Sequence, residues 1–270
     1  MNIRMIAMDL DGTLLRNDHS SVSEASLQAI SAAHSSNIVC AVATGRIFSI
    51  IPDQVRAIPD IGWSVTSNGA VLYDNAMLTD GTYVDPHGAA RLLHGIPQNT
   101  WIEMWSCGRI YVGRRQWEQM DAYSLRPLHV EALQRIGKVI DDLQQLIDNQ
   151  MPIEKINFPS IDKATQNMVM STLLDNEFYS FIPMHEGLEV MGATVSKEHG
   201  IQRLCSVLGI GLENVLAIGD SENDIEMLQA CGLGIAMGNA LDEVKDAADA
   251  VTLSNEENGL ALAIDRYALT

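Results

Sequence analysis

The sequence predicts an α/β protein, a doubly wound parallel sheet interrupted by an inserted α+β block. Three observations carry that reading. Short apolar runs alternate with amphipathic segments in the first third of the chain and again in the last third, the pattern of a parallel sheet covered on both faces. Several runs end in small or polar residues, namely Asp9-Leu10-Asp11-Gly12-Thr13, Thr44-Gly45-Arg46, Ser67-Asn68-Gly69 and Gly219-Asp220. Polar chemistry therefore collects at strand carboxyl ends, where open α/β sheets bind ligands. The middle third lacks the alternation and holds three of the four tryptophans, Trp101, Trp105 and Trp117.

Taken in order, Ile3 to Met8 reads as a buried strand. Ser21-Val22-Ser23-Glu24 has capping-box spacing, and Leu27, Ile30 and His34 continue a helical face. Ile38 to Ala43 and Trp63 to Thr66 are the next strands. The inserted block runs roughly from Tyr83 to Met191. Within it, Trp101 to Trp105 and Ile110 to Val112 flank Gly108 as a hairpin. Further strands are expected at Ile153 to Phe158, Phe178 to Ile182 and Leu188 to Met191, with a helix from Lys163 to Leu174. The last third begins with a helix from Lys197 to Leu208, carrying Ile201, Leu204, Cys205 and Leu208 on one side. The strand Val215 to Ile218 follows, then a helix with Ile225 and Leu228, then short strands at Gly234 to Met237 and Ala250 to Leu253. At 270 residues two domains are expected, a core of residues 1–82 and 192–270 and an insert of residues 83–191.

Composition narrows the class. Hydrophobic residues at 47% with 19% charged residues are ordinary for a soluble globular protein. No apolar run approaches membrane-spanning length, and cleavage of a leader would remove the Asp9 segment with it. Cys40, Cys107, Cys205 and Cys231 form no CxxC pair, so a reduced, cytoplasmic protein without structural zinc is expected. The net charge of −18 argues against nucleic acid or anionic lipid as partners. It is compatible with a phosphorylated substrate where a bound cation and a lysine reverse the local field. The acidic residues Asp242, Glu243, Asp246, Asp249, Glu256 and Glu257 read as a solvated face.

Asp9 and Asp11 carry the most information. Two carboxylates at the end of a buried strand repel one another and cost desolvation energy, which a divalent metal with hard oxygen ligands would offset. Residues two apart on an extended strand point the same way, so both could address one substrate. An ordinary Asp-Gly turn is the plain alternative.

Asp9-Leu10-Asp11-Gly12-Thr13, Thr44-Gly45-Arg46, Lys197 and Gly219-Asp220-Ser221-Glu222-Asn223-Asp224 resemble the four ordered motifs of the haloacid dehalogenase superfamily. Ser67-Asn68-Gly69-Ala70, the insertion after it and Ile225-Glu226-Met227-Leu228 resemble its Cof-type branch, which has a large α/β cap of the C2 type. The resemblance implies a Rossmann-like core, Mg²⁺ dependence and hydrolysis of phosphate monoesters through a phosphoaspartate. It makes Asp9 the nucleophile and Asp11 the acid and base for the leaving alcohol and the attacking water. The implied metal set is Asp9, Asp11 through its backbone carbonyl, and Asp220, with Asp224 orienting the shell. Helix capping is the other reading of Asp220 and Asp224.

Phosphate binding falls by the same resemblance to Leu10, Thr44, Gly45, Arg46, Lys197 and Asn223. Thr44 and Gly45 would otherwise be a capping turn, Asn223 a cap residue, and Arg46 a structural ion pair or a contact to the cap. One departure is Glu198, where this branch usually has glycine after the lysine. The seven histidines show no ligand spacing; His185 and Glu186, in a cap loop, are candidate contacts to the leaving group. The expected protein is a Mg²⁺-dependent phosphatase of small phosphorylated metabolites, sugar phosphates or phosphorylated cofactors, as a monomer or homodimer. A phosphomutase using the same phosphoaspartate and an inactive phosphometabolite-binding protein are the alternatives.

Overall fold

The computed structural model describes residues 2–173, 177–182 and 187–269. The chain divides into two compact units, one of Met1–Arg46, Ile51–Asp80 and Ser196–Thr270, the other of Ile47–Ile50 and Gly81–Val195.

The first segment supplies β1 (Met5–Met8), α1 (Glu24–Ser35), β2 (Val39–Ala43), α2 (Asp53–Arg56), β3 (Trp63–Thr66), β4 (Val71–Asp74) and β5 (Met77–Gly81). The insert supplies α3 (Pro86–Gly95), β6 (Glu103–Ser106), β7 (Arg109–Gly113), α4 (Arg114–Glu118), α5 (Pro127–Ile136) and β8 (Gly137–Ile140). It continues with α6 (Gln144–Asp148), β9 (Ile153–Phe158), α7 (Lys163–Thr172), β10 (Phe178–Phe181) and β11 (Leu188–Gly192). The return segment supplies α8 (Lys197–Leu208), β12 (Val215–Gly219), α9 (Ile225–Ala230), β13 (Leu233–Ala236), α10 (Asp242–Ala247), β14 (Ala250–Val251) and α11 (Gly259–Tyr267).

Among the described residues the first unit holds one sheet in the order β14-β13-β12-β1-β2-β3-β4-β5. Neighbours from β14 to β3 are parallel, and β4 turns back antiparallel on β3. Strand β1 is central and fully buried, which is why its sequence is apolar on both faces. One face of the sheet, with Met5, Ala7, Ala41, Val65 and Ala217, packs on Ile201 and Leu204 of α8 and Met227 and Leu228 of α9. Helices α1 and α11 pack on one another. The chain leaves β1 toward β2 and returns on its other flank as β12, so the strand order reverses at β1. Register places Met8 beside both Val42 and Ile218, and the residues after these three strands emerge together.

Helix α1 corrects one expectation. Its N-cap is Ser23, whose hydroxyl accepts from Ser26 N at 3.1 Å, because Val22 is still extended in a bridge to Leu15. The buried face is Ser26, Ala29, Ile30 and Ala33, with His34 exposed. The other expected strands and helices coincide with the observed ones or move by one or two residues at their ends, and Leu174, the expected end of α7, lies outside the described residues.

The second unit holds a sheet in the order β10-β11-β9-β6-β7-β8, antiparallel except for β7 and β8. One face, with Met104, Ile156 and Val190, packs on Ala89 and Leu92 of α3, Leu146 of α6 and Val169 of α7. A second cluster joins Trp101, Trp105, Ile110 and Val112 to Leu133 and Ile136 of α5 and to Ile47. Glu103 is wholly buried in this unit. It accepts from Trp101 Nε1 at 2.7 Å, Trp105 Nε1 at 2.9 Å and Asn157 Nδ2 at 3.0 Å, and lies 2.6 Å from His129 Nε2. Burial works to raise its pKa, but His129 and the two indoles outweigh it and hold the carboxyl below the usual glutamate range. Lys155, also buried, bonds Glu189 at 2.6 Å and lies 4.0 Å above the Trp105 ring.

Candidate active site

Asp9 follows β1 and is only 4% exposed. Its backbone N donates to Ile218 O at 3.0 Å, which ties it to β12. Lys197 opens α8, where Ser196 caps the helix by accepting from His199 N at 3.2 Å. The Lys197 ammonium is buried and donates to Asp9 Oδ1 and to Asp224 Oδ1, each at 2.7 Å.

Asp224 has both oxygens in use, since its Oδ2 accepts from the amides of Asp220 and Ser221 at 3.0 Å. It therefore orders the loop after β12, and its capping-box geometry coexists with its place in the site. Asp220 accepts from Thr13 Oγ1 at 3.1 Å and Asn239 Nδ2 at 3.4 Å. Gly12 makes room for it: its φ is +82°, and a Cβ there would meet the Asp220 carboxylate.

Carboxylate oxygens of Asp9, Asp220 and Asp224 lie within 4.8 Å of one another. Burial raises the Asp9 pKa well above the usual value. Lys197 opposes the rise, while Asp224, Asp220 and Asp11 add to it. Asp220 is pushed up to about 7, first by burial and then by Asp224, against the pull of Lys197. Burial would lower Lys197, but Asp224 and Asp9 hold it above the ordinary lysine value. Three carboxylates share one ammonium, a donor set that suits a hard divalent cation.

The Asp11 side chain turns away from this trio. Arg46 grips it with Nε at 2.8 Å and a terminal nitrogen at 2.5 Å, and His19 Nδ1 lies 3.1 Å from Oδ1. Burial works to raise the Asp11 pKa, but Arg46 and His19 outweigh it and leave it lowered. Arg46 thus forms an ion pair with Asp11.

Among the residues expected to touch phosphate, Leu10 is buried and its carbonyl receives Leu15 N at 2.8 Å in the turn after β1. Thr44 is buried, and its hydroxyl accepts from Arg46 N at 3.1 Å. Gly45 faces the Asn68 carboxamide, which a Cβ would approach to 2.9 Å. Asn223 Nδ2 donates to Asn68 Oδ1 at 2.9 Å. Glu198 pairs with His199 at 2.8 Å. His185 and Glu186 lie outside the described residues.

Four residues without an assigned role in the sequence reading join this edge: His19, Asn68, Arg203 and Asn239. Asn68 lies in the Ser67-Asn68-Gly69 turn that the sequence marks, but no spacing announces its partners or those of His19, Arg203 and Asn239. Arg203 on α8 bonds Asp80 at 2.7 Å, Ala70 O at 3.1 Å and Gly69 O. Gly200 packs on Gly69 so closely that a Cβ at Gly200 would lie 2.7 Å from Gly69 Cα. The helix bearing Lys197 is thereby seated on the turn bearing Asn68.

Comparison with known proteins agrees with this arrangement. The family model for haloacid dehalogenase-like hydrolases matches residues 6–264. The chain is 30% identical to the phosphatase YwpJ of Bacillus subtilis, over 96% of this chain and 98% of that one. It is 28% identical to the 5-amino-6-(5-phospho-D-ribitylamino)uracil phosphatase YcsE of the same organism, over 100% and 97% of the two chains. A solved haloacid dehalogenase-like hydrolase from B. subtilis superposes with a TM-score of 0.81 at 28% identity, covering 98% of this chain and all of that one. Among the described residues no helix is long and apolar enough to cross a membrane. The carboxylate-lysine cluster at the strand ends thus sits in a chain that belongs to the haloacid dehalogenase-like hydrolases, consistent with their Cof-type branch.

Proposed function

We propose that this phosphatase hydrolyses monoesters of small metabolites, sugar phosphates or phosphorylated cofactors, with Mg²⁺ and through a phosphoaspartate on Asp9. The observation that carries the reading is the convergence of Asp9, Lys197, Asp220 and Asp224 at the carboxyl edge of a parallel sheet. The relative that acts on a phosphorylated ribityl compound supports the substrate class.

Asp9 attacks phosphorus and the bond to the leaving oxygen breaks, while Asp11 gives that oxygen its proton. Water then attacks the acyl phosphate, Asp11 takes its proton, and orthophosphate leaves the regenerated Asp9 carboxylate. Lys197 orients Asp9 and offsets charge on the transferring group. Arg46 keeps Asp11 ionised in the arrangement described, so proton donation requires this pair to open. Asp9 and Asp220, with the Asp11 carbonyl, would hold Mg²⁺, which when bound neutralises repulsion between the anionic nucleophile and the anionic ester. Asp224 is a positioning residue for Lys197 and the Asp220 loop. Leu10, Thr44, Gly45 and Asn223 receive the phosphoryl oxygens, residues 83–191 act as the cap that selects the leaving group, and the protein works in the cytoplasm.

The test is release of orthophosphate from p-nitrophenyl phosphate and from a panel of phosphorylated metabolites, with Mg²⁺ and with chelator. Turnover with Mg²⁺ and none with chelator is expected. Isomerisation of a sugar phosphate without phosphate release would replace the hydrolase with a mutase, and binding without either reaction would leave a binding protein.

A further inference from the structure

We propose that Asn68 is a positioning residue for the phosphoryl site, holding the loops after β2 and β12 in the spacing that site requires. Three observations carry this, all within the first unit. Asn68 is 2% exposed and stands in the left-handed region at φ 55°, a conformation that asparagine tolerates better than most residues. Its backbone N donates to Thr44 O at 2.9 Å, and Ser67 N donates to Arg46 O at 2.9 Å. The turn at the end of β3 is thus bonded to both ends of the Thr44-Gly45-Arg46 turn. The Asn68 carboxamide occupies the space that Gly45 leaves, and its Oδ1 accepts from Asn223 Nδ2.

The Asn223 Oδ1 is buried without a hydrogen-bond partner, an arrangement that costs free energy. The two carboxamides can exchange roles by turning over together. Asn68 then donates, Asn223 accepts through Oδ1, and the Asn223 amide nitrogen with its N–H donors stands where Oδ1 stood. An anionic oxygen arriving there would satisfy such a donor. Asn68 therefore acts through Asn223, with no contact of its own to the phosphoryl group required. Its glycine-sized neighbour also follows: Gly45 is small because Asn68 lies against it.

The inference rests on the phosphoryl reading of Thr44, Gly45 and Asn223, and the experiment separates the two. Asn68→Gly keeps the left-handed turn and removes the carboxamide. Asn223→Ala removes the group it holds. Gly45→Ala displaces the carboxamide without touching its turn, and serves if Asn68→Gly fails to fold. The full chain with Mg²⁺ is assayed on p-nitrophenyl phosphate, with orthophosphate as competitive inhibitor and thermal melting as the fold control. Asn68→Gly should raise both KM and the orthophosphate inhibition constant about tenfold, the effect of one hydrogen bond near 1.4 kcal/mol, with Tm little changed. The same substitution should add almost nothing on the Asn223→Ala background, and it should relieve the defect of Gly45→Ala. Wild-type inhibition by orthophosphate in Asn68→Gly, or additive losses in the double variant, overturns the inference alone. Wild-type protein that neither turns over nor binds orthophosphate overturns the phosphatase reading, and the inference falls with it.

Discussion

The two units each bury carboxylates, and they treat them in opposite ways. Glu103 in the insert is surrounded by donors, two indoles, an amide and His129, and its pKa is lowered. In the core, Asp9, Asp220 and Asp224 crowd one lysine, and the pKa values of Asp9 and Asp220 are raised. A buried charge whose bonds are complete stabilises the structure it sits in. A buried cluster short of positive charge stores repulsion that a ligand can relieve. The difference separates a structural network from a reaction site without reference to any motif.

Four substitutions or titrations would break or sharpen this contrast. The largest effect is expected from Asp9→Asn, which removes the proposed nucleophile and one negative charge. Turnover should fall on the order of 10⁴-fold or more, while the folded protein melts no earlier than wild type. Substantial activity in the purified variant would remove Asp9 from the chemistry. Asp11→Asn should cost about 10²- to 10⁴-fold on alkyl phosphates and less in single-turnover phosphoenzyme formation from p-nitrophenyl phosphate, whose leaving group departs without a proton. Equal losses on both esters would count against proton donation.

A smaller effect is expected on melting temperature. In metal-free protein Asp220 holds its proton up to about pH 7, whereas in the unfolded chain it titrates near the ordinary aspartate value. Its contribution is therefore full below that ordinary value and is lost as pH rises toward 7. On the proposed function Mg²⁺ would take the place of that proton, so the Tm gain on adding Mg²⁺ should be larger at pH 8 than at pH 5. A gain that grows in acid would contradict the charge deficit. Glu103→Gln should destabilise by about 1–3 kcal/mol while retaining turnover of p-nitrophenyl phosphate. Its sign is the reverse of Asp220: a lowered carboxyl contributes above the ordinary glutamate value and loses that contribution as pH falls through its folded value. The gap between variant and wild type should close in acid.

Much of the core was legible because its signals are local. The buried strands Trp63–Thr66 and Val215–Gly219 and the helix Lys197–Leu208 have apolar patterns bounded by polar or glycine residues, and each lies within a residue of its expected limits. Helices α3 and α5 were overlooked, although Pro86 and Pro127 stand at their first positions and Asp85 caps α3 by accepting from Gly88 N at 2.8 Å. Their pattern is interrupted by Gly88, His94 and His129, which weakens a periodicity search. Strand β8 is four residues long and only partly buried, so it has little pattern to read. At the site, the clustering of Asp9, Lys197, Asp220 and Asp224 followed from motif order. The capture of Asp11 by Arg46 and His19 and the bridging place of Asn68 did not, because they depend on side-chain directions set by loops with left-handed residues at His19 and Asn68.

Strand β1 lies between β2 and β12, and this has a consequence during synthesis. Its first neighbour leaves the ribosome some thirty residues after it, the other only near residue 215. The central strand must therefore wait with one edge unpaired while the whole insert is translated. Pairing so distant in sequence closes a large loop and slows folding. The insert, made of contiguous chain apart from Ile47–Ile50, can condense during that interval and shorten the loop that remains to be closed. A nascent chain stopped before Asp220 carries Asp9, Asp11 and Lys197 yet lacks the acidic loop after β12. Without Asp220 and Asp224 such a chain cannot assemble the three-carboxylate cluster.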